Sequence, residues 1–338
     1  MVISDIDLSL PEIEPLRLPF FNFETGHSQT LVGHFVPTAD FIEKYQVDYF
    51  KFSDGDQCAL KIYENNNPNK KNIVLSLYHG LAGDHRSDYM QRTARVAYDL
   101  GWSVILVDHR GAGLAEGLAK NPYHSGRGED ISDIIKYLRQ RFENSVQVAN
   151  GFSMSGSILL NLICGRRGEN KPDYAVVVNA PIDLARAADL LTKGLSKIYD
   201  FRFYQKLRIS LKKNYNFKIP LTGFMHQIDD AFTAKKSGFQ NKEDYYENCS
   251  TYKYIQNIKT PTFVLTAMDD PFVSFESYKN ITWPESVHVT YSKHGGHMGY
   301  FSKMELSDGN TNFKKRWMDQ YLHRVFLKIE ENITYHKN

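Results

Sequence analysis

Three segments of this chain carry side chains of the kind that transfer acyl groups, and each follows a short apolar, β-rich run. Gly151-Phe152-Ser153-Met154-Ser155-Gly156 lies between a strand-like run, Ser145 to Ala149, and a helix-like run, Ile158 to Cys164. A serine in such a strand-to-helix turn is held in a strained nucleophile elbow, and the residues two before and two after it must be small. Gly151 and Ser155 meet that demand, although glycine is more usual than serine at the second place. Serine is a poor nucleophile until a base takes its proton, so a histidine and an orienting carboxylate are needed. Thr262 to Ala267 runs into Met268-Asp269-Asp270-Pro271, and Val287 to Tyr291 runs into Ser292-Lys293-His294-Gly295-Gly296-His297. The order nucleophile, acid, histidine is one that hydrolases with this elbow use.

Each position has a rival. Ser155 as nucleophile would need Ser153 and Ser157 as its small flanks and would forgo Gly151, so the pattern favours Ser153. Asp270 directly precedes a Pro-apolar-apolar turn and is favoured over Asp269 as the acid. His297, approached through Gly295 and Gly296 and followed by Gly299, is favoured over His294 as the general base and acid. A metal held by the two histidines lacks further ligands at suitable spacing. Upstream, Ile73 to Tyr78 runs into His79-Gly80-Leu81-Ala82-Gly83, a glycine-bearing loop placed to supply a second oxyanion donor. The expected donors are the backbone N–H groups of Leu81 and Met154, with His79 shaping the loop.

These residues must be positioned by elements that the chain spells out in order. A hairpin, Asp48 to Phe52 and Ala59 to Tyr63, turns at Ser53-Asp54-Gly55-Asp56. Strand Ile73 to Tyr78, helix Tyr89 to Leu100, strand Ser103 to Val107, helix Asp130 to Phe142, strand Val146 to Ala149, helix Met154 to Gly165 and strand Tyr174 to Asn179 follow. This alternation predicts an α/β fold, a parallel sheet with crossover helices whose strand carboxyl ends hold the site. From Leu184 to about Ile258 the pattern becomes helical and aromatic, with Tyr199, Phe201, Phe203, Tyr204, Tyr215, Phe217 and Phe224. It reads as a lid over the site, its aromatics either lining an acyl pocket or fixing the lid to the core. The division is an N-terminal segment over 1–47, core over 48–183, helical insertion over 184–258 and core again over 259–338.

A chain of 338 residues with 42% hydrophobic and 24% charged residues reads as globular, with one large domain and an insertion. A net charge of +2 gives no reason to expect nucleic acid as a partner. Between Arg186 and Lys253 there are thirteen Lys/Arg against seven Asp/Glu, a solvated basic face or one suited to anionic surfaces. Cys58, Cys164 and Cys249 show no metal spacing and fit a reduced, cytoplasmic setting. The opening residues carry acid where a signal peptide needs base, and no apolar run approaches a membrane span.

The motifs together resemble the α/β-hydrolase fold and, within it, the YheT-like (EMB8-like) subgroup that includes the mammalian ABHD-type esterases and lipases. The resemblance rests on Gly26-His27-Ser28-Gln29-Thr30, the His79 to Gly83 loop, Asp108-His109-Arg110-Gly111-Ala112-Gly113, Tyr123-His124-Ser125-Gly126 with Asp130, Ile228 to Ala234 with Gly238-Phe239 and Asp244-Tyr245-Tyr246, Asp269-Asp270-Pro271 and Gly295-Gly296-His297. Ser155 and His109 depart from the subgroup's pattern. The resemblance implies a serine hydrolase that cleaves carboxylic esters through an acyl-enzyme on Ser153, without a cofactor. The expected partner is a small-molecule ester, with short to medium acyl chains. Rival readings are a lipase or monoacylglycerol hydrolase at a lipid surface, and a ligand-binding protein that does not turn over. His27, Arg110, His124, Asp130 and Asp229 are expected to be framework or lid contacts.

Overall fold

Alternation of side chains along each strand divides the core into two apolar layers, one on each face of a central sheet. The computed structural model describes residues 9–18, 21–33, 36, 41–303 and 316–335. In chain order it shows β1 (Arg17–Leu18), β2 (Phe21–Asn22), α1 (Gly26–Gly33), β3 (Gln46–Lys51), β4 (Gln57–Tyr63), β5 (Ile73–Tyr78), α2 (Asp88–Asp99), β6 (Ser103–Asp108), α3 (Gly128–Arg141), β7 (Val146–Phe152), α4 (Met154–Ile163) and β8 (Tyr174–Val178). The helices α5 (Leu184–Leu191), α6 (Ser196–Tyr215), α7 (Met225–Ile228) and α8 (Lys242–Cys249) come next, then β9 (Thr262–Ala267), α9 (Phe275–Lys279), β10 (Val287–Ser292) and α10 (Trp317–Tyr335). The opening residues read above for a signal peptide lie outside the described residues.

Eight strands form the sheet in the order β10-β9-β8-β7-β5-β6-β4-β3. β3, β4 and β6 pair antiparallel, and every other neighbouring pair is parallel. Leu75, Leu77, Val104 and Leu106 point to the layer covered by α2 and α10, where Trp102 packs on Phe326. Val74, Tyr78, Ile105 and Val107 point to the other, filled by Ile131, Ile134 and Ile135 of α3 and by α4. All ten residues of α4 are buried, which explains why its sequence is apolar rather than amphipathic apart from Ser155, Ser157 and Asn161, whose side chains are hydrogen-bonded.

Two strand ends differ from the sequence expectation in ways that matter for the site. β7 runs past Ala149 to Phe152, because Asn150 and Gly151 stay in register with Leu77 and Tyr78 on one side and Val176 and Val177 on the other. Ser153 therefore follows the strand directly. β8 stops at Val178, one residue early, because Asn179 turns into the left-handed region at φ 47°.

The helical insertion between β8 and β9 has its own small cores. Tyr204, Leu211, Met225, Ile228 and Phe232 form one, joined by Tyr215 and Phe217, and Leu184, Ala234, Tyr245, Tyr246 and Cys249 form another. Most of the aromatics are thus consumed in packing, while Phe201 remains 51% exposed.

Candidate active site

Ser153 sits at the turn between β7 and α4 with φ 51° and ψ −122°, a conformation that costs a non-glycine residue on the order of 1–3 kcal/mol. Its N–H donates to the carbonyl of Val178 at 2.8 Å and its own carbonyl accepts from Gly156 N at 2.8 Å. The small-residue requirement is literal: a Cβ on Gly151 would lie 2.5 Å from the Ser155 carbonyl oxygen, and one on Gly156 would lie 2.6 Å from Ala180 Cβ. Ser155 is buried and points away from Ser153, donating its hydroxyl to the His79 carbonyl. Its Oγ in turn lies 2.7 Å from His109 Nε2, so His109 carries its proton there. Burial holds the His109 imidazole neutral, with its pKa well below the ordinary value. The two departures in the sequence are thus bonded to each other.

His297, in the loop after β10, is 6% exposed and lies with Nε2 2.8 Å from Ser153 Oγ. Its Nδ1 lies 2.7 Å from Asp270 Oδ2. That oxygen also accepts from Asn179 Nδ2 at 2.7 Å, while Asp270 Oδ1 accepts from the backbone of Phe272 at 3.1 Å and Val273 at 2.9 Å. The neighbouring Asp269 faces elsewhere: its Oδ1 accepts from Gly296 N at 2.8 Å, and burial pushes its carboxyl up to about 6. His294 Nδ1 lies near Glu24 O at 3.2 Å and 3.8 Å from Asp269. The structure therefore brings Ser153, His297 and Asp270 into one hydrogen-bonded line and leaves Ser155, His294 and Asp269 as its framing. Among the described residues no group of three or more His, Cys, Asp or Glu is placed to hold a metal.

Several positioning residues went unread. Asn179 joins the Asp270 carboxylate to the carbonyl of Gly296 at 2.9 Å. Thr30 Oγ1 accepts the backbone N–H of His297 at 2.7 Å, and Gln29 exchanges hydrogen bonds with the Phe301 backbone. The Gln29-Thr30 pair of the N-terminal motif is thus a clamp on the histidine loop. Its motif was visible in the sequence, but its partner is 267 residues away.

The loop after β5 is tied down donor by donor. Gly80 N donates to Tyr89 OH at 2.9 Å and Ala82 N to Tyr123 OH at 2.9 Å. His109 N donates to His79 Nε2 at 3.2 Å, so His79 carries its proton on Nδ1 and gives it to Gly80 O at 2.8 Å. The N–H groups of Leu81 and Met154 have no partner among the described residues.

Two cavities meet at Ser153. One of about 410 Å³ is walled by the 80–83 loop, Tyr89, Ser153, His297 and Met298, and by Arg86, Arg202, Phe203 and Lys206. A smaller apolar one of about 100 Å³ is walled by Met154, Leu184, Ala187, Leu191, Phe272 and Val273. Both include Leu81, Ser153 and Phe203. Of the remaining motif residues, Asp229 lies on the wall of the smaller cavity, and Arg110, His124, Asp130 and His27 lie on the wall of neither. Arg110 binds Asp130 through Nε at 2.6 Å and Nη2 at 2.8 Å, and also reaches Asp54 and Asp56. His124, held neutral by burial, packs edge-on against Phe239 and Tyr245. Asp229, pushed up to about 6 by burial, accepts from Tyr246 OH at 2.7 Å. His27 stacks on Tyr199 of α6, whose hydroxyl donates to the His27 carbonyl at 2.9 Å.

An eight-stranded, mostly parallel sheet with a serine in a strained turn after its fifth strand, and a histidine and an aspartate beyond later strands, defines an α/β-hydrolase. The solved esterase of Pyrococcus furiosus shares this fold at 14% identity, with a TM-score of 0.56 over 94% of this chain and 99% of that one. The family model described as serine aminopeptidase, S33, matches residues 68–283, and the chain belongs to that family, as an ABHD-type member. It is 28% identical over 295 residues to the candidate esterase YheT of Escherichia coli, covering 84% of this chain and 86% of YheT. It is 28% identical to the monoacylglycerol lipase of Saccharomyces cerevisiae, over 76% of this chain and 59% of that protein. Phospholipase ABHD3 of Homo sapiens is 22% identical over 92% of this chain and 77% of its own.

Proposed function

We propose that this protein, an enzyme of the esterase and lipase type, cleaves carboxylic esters of short to medium acyl chains through an acyl-enzyme on Ser153. One observation carries the reading: the unbroken line from Ser153 Oγ through His297 to Asp270, at 2.8 and 2.7 Å. As Oγ attacks the ester carbon, His297 Nε2 takes its proton, and Asp270 holds the imidazole tautomer and stabilises the imidazolium. The oxyanion is received by the N–H groups of Leu81 and Met154; one such donor is worth about 3 to 4 kcal/mol in the transition state. The C–O bond to the alcohol then breaks, the alkoxide takes the proton from His297, and water repeats the cycle to release the acid. The apolar cavity of about 100 Å³ beside Met154 is the acyl pocket, and its small size supports the chain-length reading. The helices over 184–258 act as a lid over it.

The test is a p-nitrophenyl ester series from acetyl to palmitoyl. Steady turnover of butyryl to octanoyl esters, falling sharply at palmitoyl, is expected. Absence of steady turnover on every ester would move the reading to a binding protein.

A second reading, action at a lipid surface, draws on the outer face of the insertion. Leu195, Ile198, Phe201 and Leu221 are 51–72% exposed there, beside Lys193 and Lys197. Lys193 is paired with Asp189, and exposed apolar side chains close in sequence to lysines suit an anionic interface. Among the described residues no helix is long and apolar enough to cross a membrane. Cosedimentation with vesicles containing phosphatidylserine, lost as salt rises, is the expected result; no binding at low salt would end this reading.

A further inference from the structure

The end of β8 is bonded to the nucleophile, to the acid and to the peptide that carries the histidine. The carbonyl of Val178 accepts the N–H of Ser153 at 2.8 Å, which fixes the strained turn. The next residue, Asn179, is fully buried, and its Nδ2 donates to Asp270 Oδ2 at 2.7 Å and to the carbonyl of Gly296 at 2.9 Å. One strand end thus measures Ser153 against both its partners. The side-chain oxygen of Asn179 accepts from the hydroxyl of Tyr300 and has no other partner among the described residues.

Two backbone outliers meet in that last bond, Asn179 at φ 47° and Tyr300 at φ 48°. Asparagine visits the left-handed region readily, whereas a bulky aromatic residue stays there only when its surroundings hold it. Tyr300 is held on two sides. Its ring covers Gly295, where a Cβ would lie 2.5 Å from Cε1, and stacks on Trp317 with centroids 5.9 Å apart. Its N–H donates to the Gly295 carbonyl and its own carbonyl accepts from Trp317 N, each at 3.0 Å. Burial and the charge of Asp270 push the phenol's pKa well above its ordinary value, so the hydroxyl is protonated and donates. A donor on that side turns the Asn179 oxygen toward Tyr300 and its NH₂ toward Asp270 and Gly296. A neutral amide steadies the carboxylate without adding a cation that would repel the imidazolium.

We infer that Tyr300 and Asn179 are a positioning pair for the triad: Tyr300 fixes the direction of the Asn179 amide, and the amide holds Asp270 and the His297 loop in register with Ser153. The inference rests on Ser153, His297 and Asp270 having the roles proposed above. Neither Asn179 nor Tyr300 lies on the wall of either cavity at Ser153, so the pair acts on kcat and not on KM. Without the Tyr300 hydroxyl the buried amide oxygen is unpaired, and rotamers that turn the amide away from Asp270 gain weight.

A double-mutant cycle on p-nitrophenyl butyrate tests it, with circular dichroism to confirm folding. Glycine adopts a positive φ without strain, so Asn179→Gly removes the amide and leaves the turn. It is expected to lower kcat about a hundredfold, and Tyr300→Phe about tenfold, with KM within about twofold of wild type in both. Because Tyr300 acts through Asn179, the double variant should be no slower than Asn179→Gly alone. Losses that multiply in the double variant, a Tyr300→Phe enzyme with wild-type kcat, or an effect on KM alone would overturn the inference while leaving the esterase reading intact. If Asn179→Gly does not fold, Tyr300→Phe decides alone: a lowered kcat at unchanged KM supports the pair, and an unchanged kcat overturns it. A wild-type enzyme without steady turnover on any ester would overturn both the pair and the reading it rests on.

Discussion

Replacing Asp270 by asparagine separates the two adjacent carboxylates more sharply than any other change. All four acceptor directions of Asp270 are used: Oδ2 by His297 Nδ1 and Asn179 Nδ2, Oδ1 by the N–H groups of Phe272 and Val273. An amide must place its NH₂ at one of these oxygens, where it faces two donors. The backbone pair is the more rigid, so the NH₂ turns toward His297 and Asn179, and the imidazole loses both its orientation and its counter-charge. A loss of about 10⁴ in kcat is expected, or about 5.5 kcal/mol of barrier. Asp269→Asn is different in kind. Its Oδ1 accepts from Gly296 N, and its Oδ2 has no hydrogen-bond partner among the described residues, so an amide fits with its oxygen on Gly296. Less than a tenfold effect is expected there. Steady-state kinetics on p-nitrophenyl butyrate, with circular dichroism to confirm folding, measures both. An Asp269→Asn enzyme as impaired as Asp270→Asn, or an Asp270→Asn enzyme that keeps most of its activity, would refute the assignment of the acid.

Other consequences are open to direct measurement. Ser155→Gly removes the bonds to His79 and His109 and strands two buried polar groups, each costing about 1–3 kcal/mol. The urea midpoint should fall, and kcat should drop about tenfold with little change in KM, because Ser155 ties the turn bearing Met154 to the loop bearing Leu81. A variant with unchanged stability would contradict that coupling. His79, His109 and His124 are buried with lowered pKa values, whereas unfolded histidines titrate near 6.5. The unfolded chain therefore binds more protons than the folded one below that pH, and stability should rise with pH between about 6 and 7. Asp229 and Asp269, pushed up to about 6, act in the opposite sense at lower pH, so the histidine effect is read above 6. A urea midpoint that is flat from pH 6 to pH 7.5, or whose rise is undiminished in His124→Gln, would contradict it.

The sequence was most legible where chemistry and strand ends coincide. Ser153 was marked by small flanks at Gly151 and Ser155, and the fold explains that demand through the close approach of Gly151 to the Ser155 carbonyl. Asp269 and Asp270 share a strand end, so no local pattern orients one toward His297 and the other toward Gly296. Only the packing of the loop against Asn179 and α1 does that. Asn179 itself was hidden because it reads as the last strand residue, and Thr30 because its partner lies across the whole chain. The helical insertion was visible as a break in the strand-and-helix alternation. Phe203 and Tyr204 are adjacent and similar in sequence, yet one lines both cavities and the other is buried in the insertion's core, a difference set by which side of α6 each occupies.

The central claim is an activated serine at position 153, and intact mass with peptide mapping after treatment with a fluorophosphonate tests it most directly. The account predicts one adduct, on the peptide carrying Ser153, absent in Ser153→Ala and retained in Ser155→Ala. No adduct on the folded protein, or an adduct on Ser155, would contradict it.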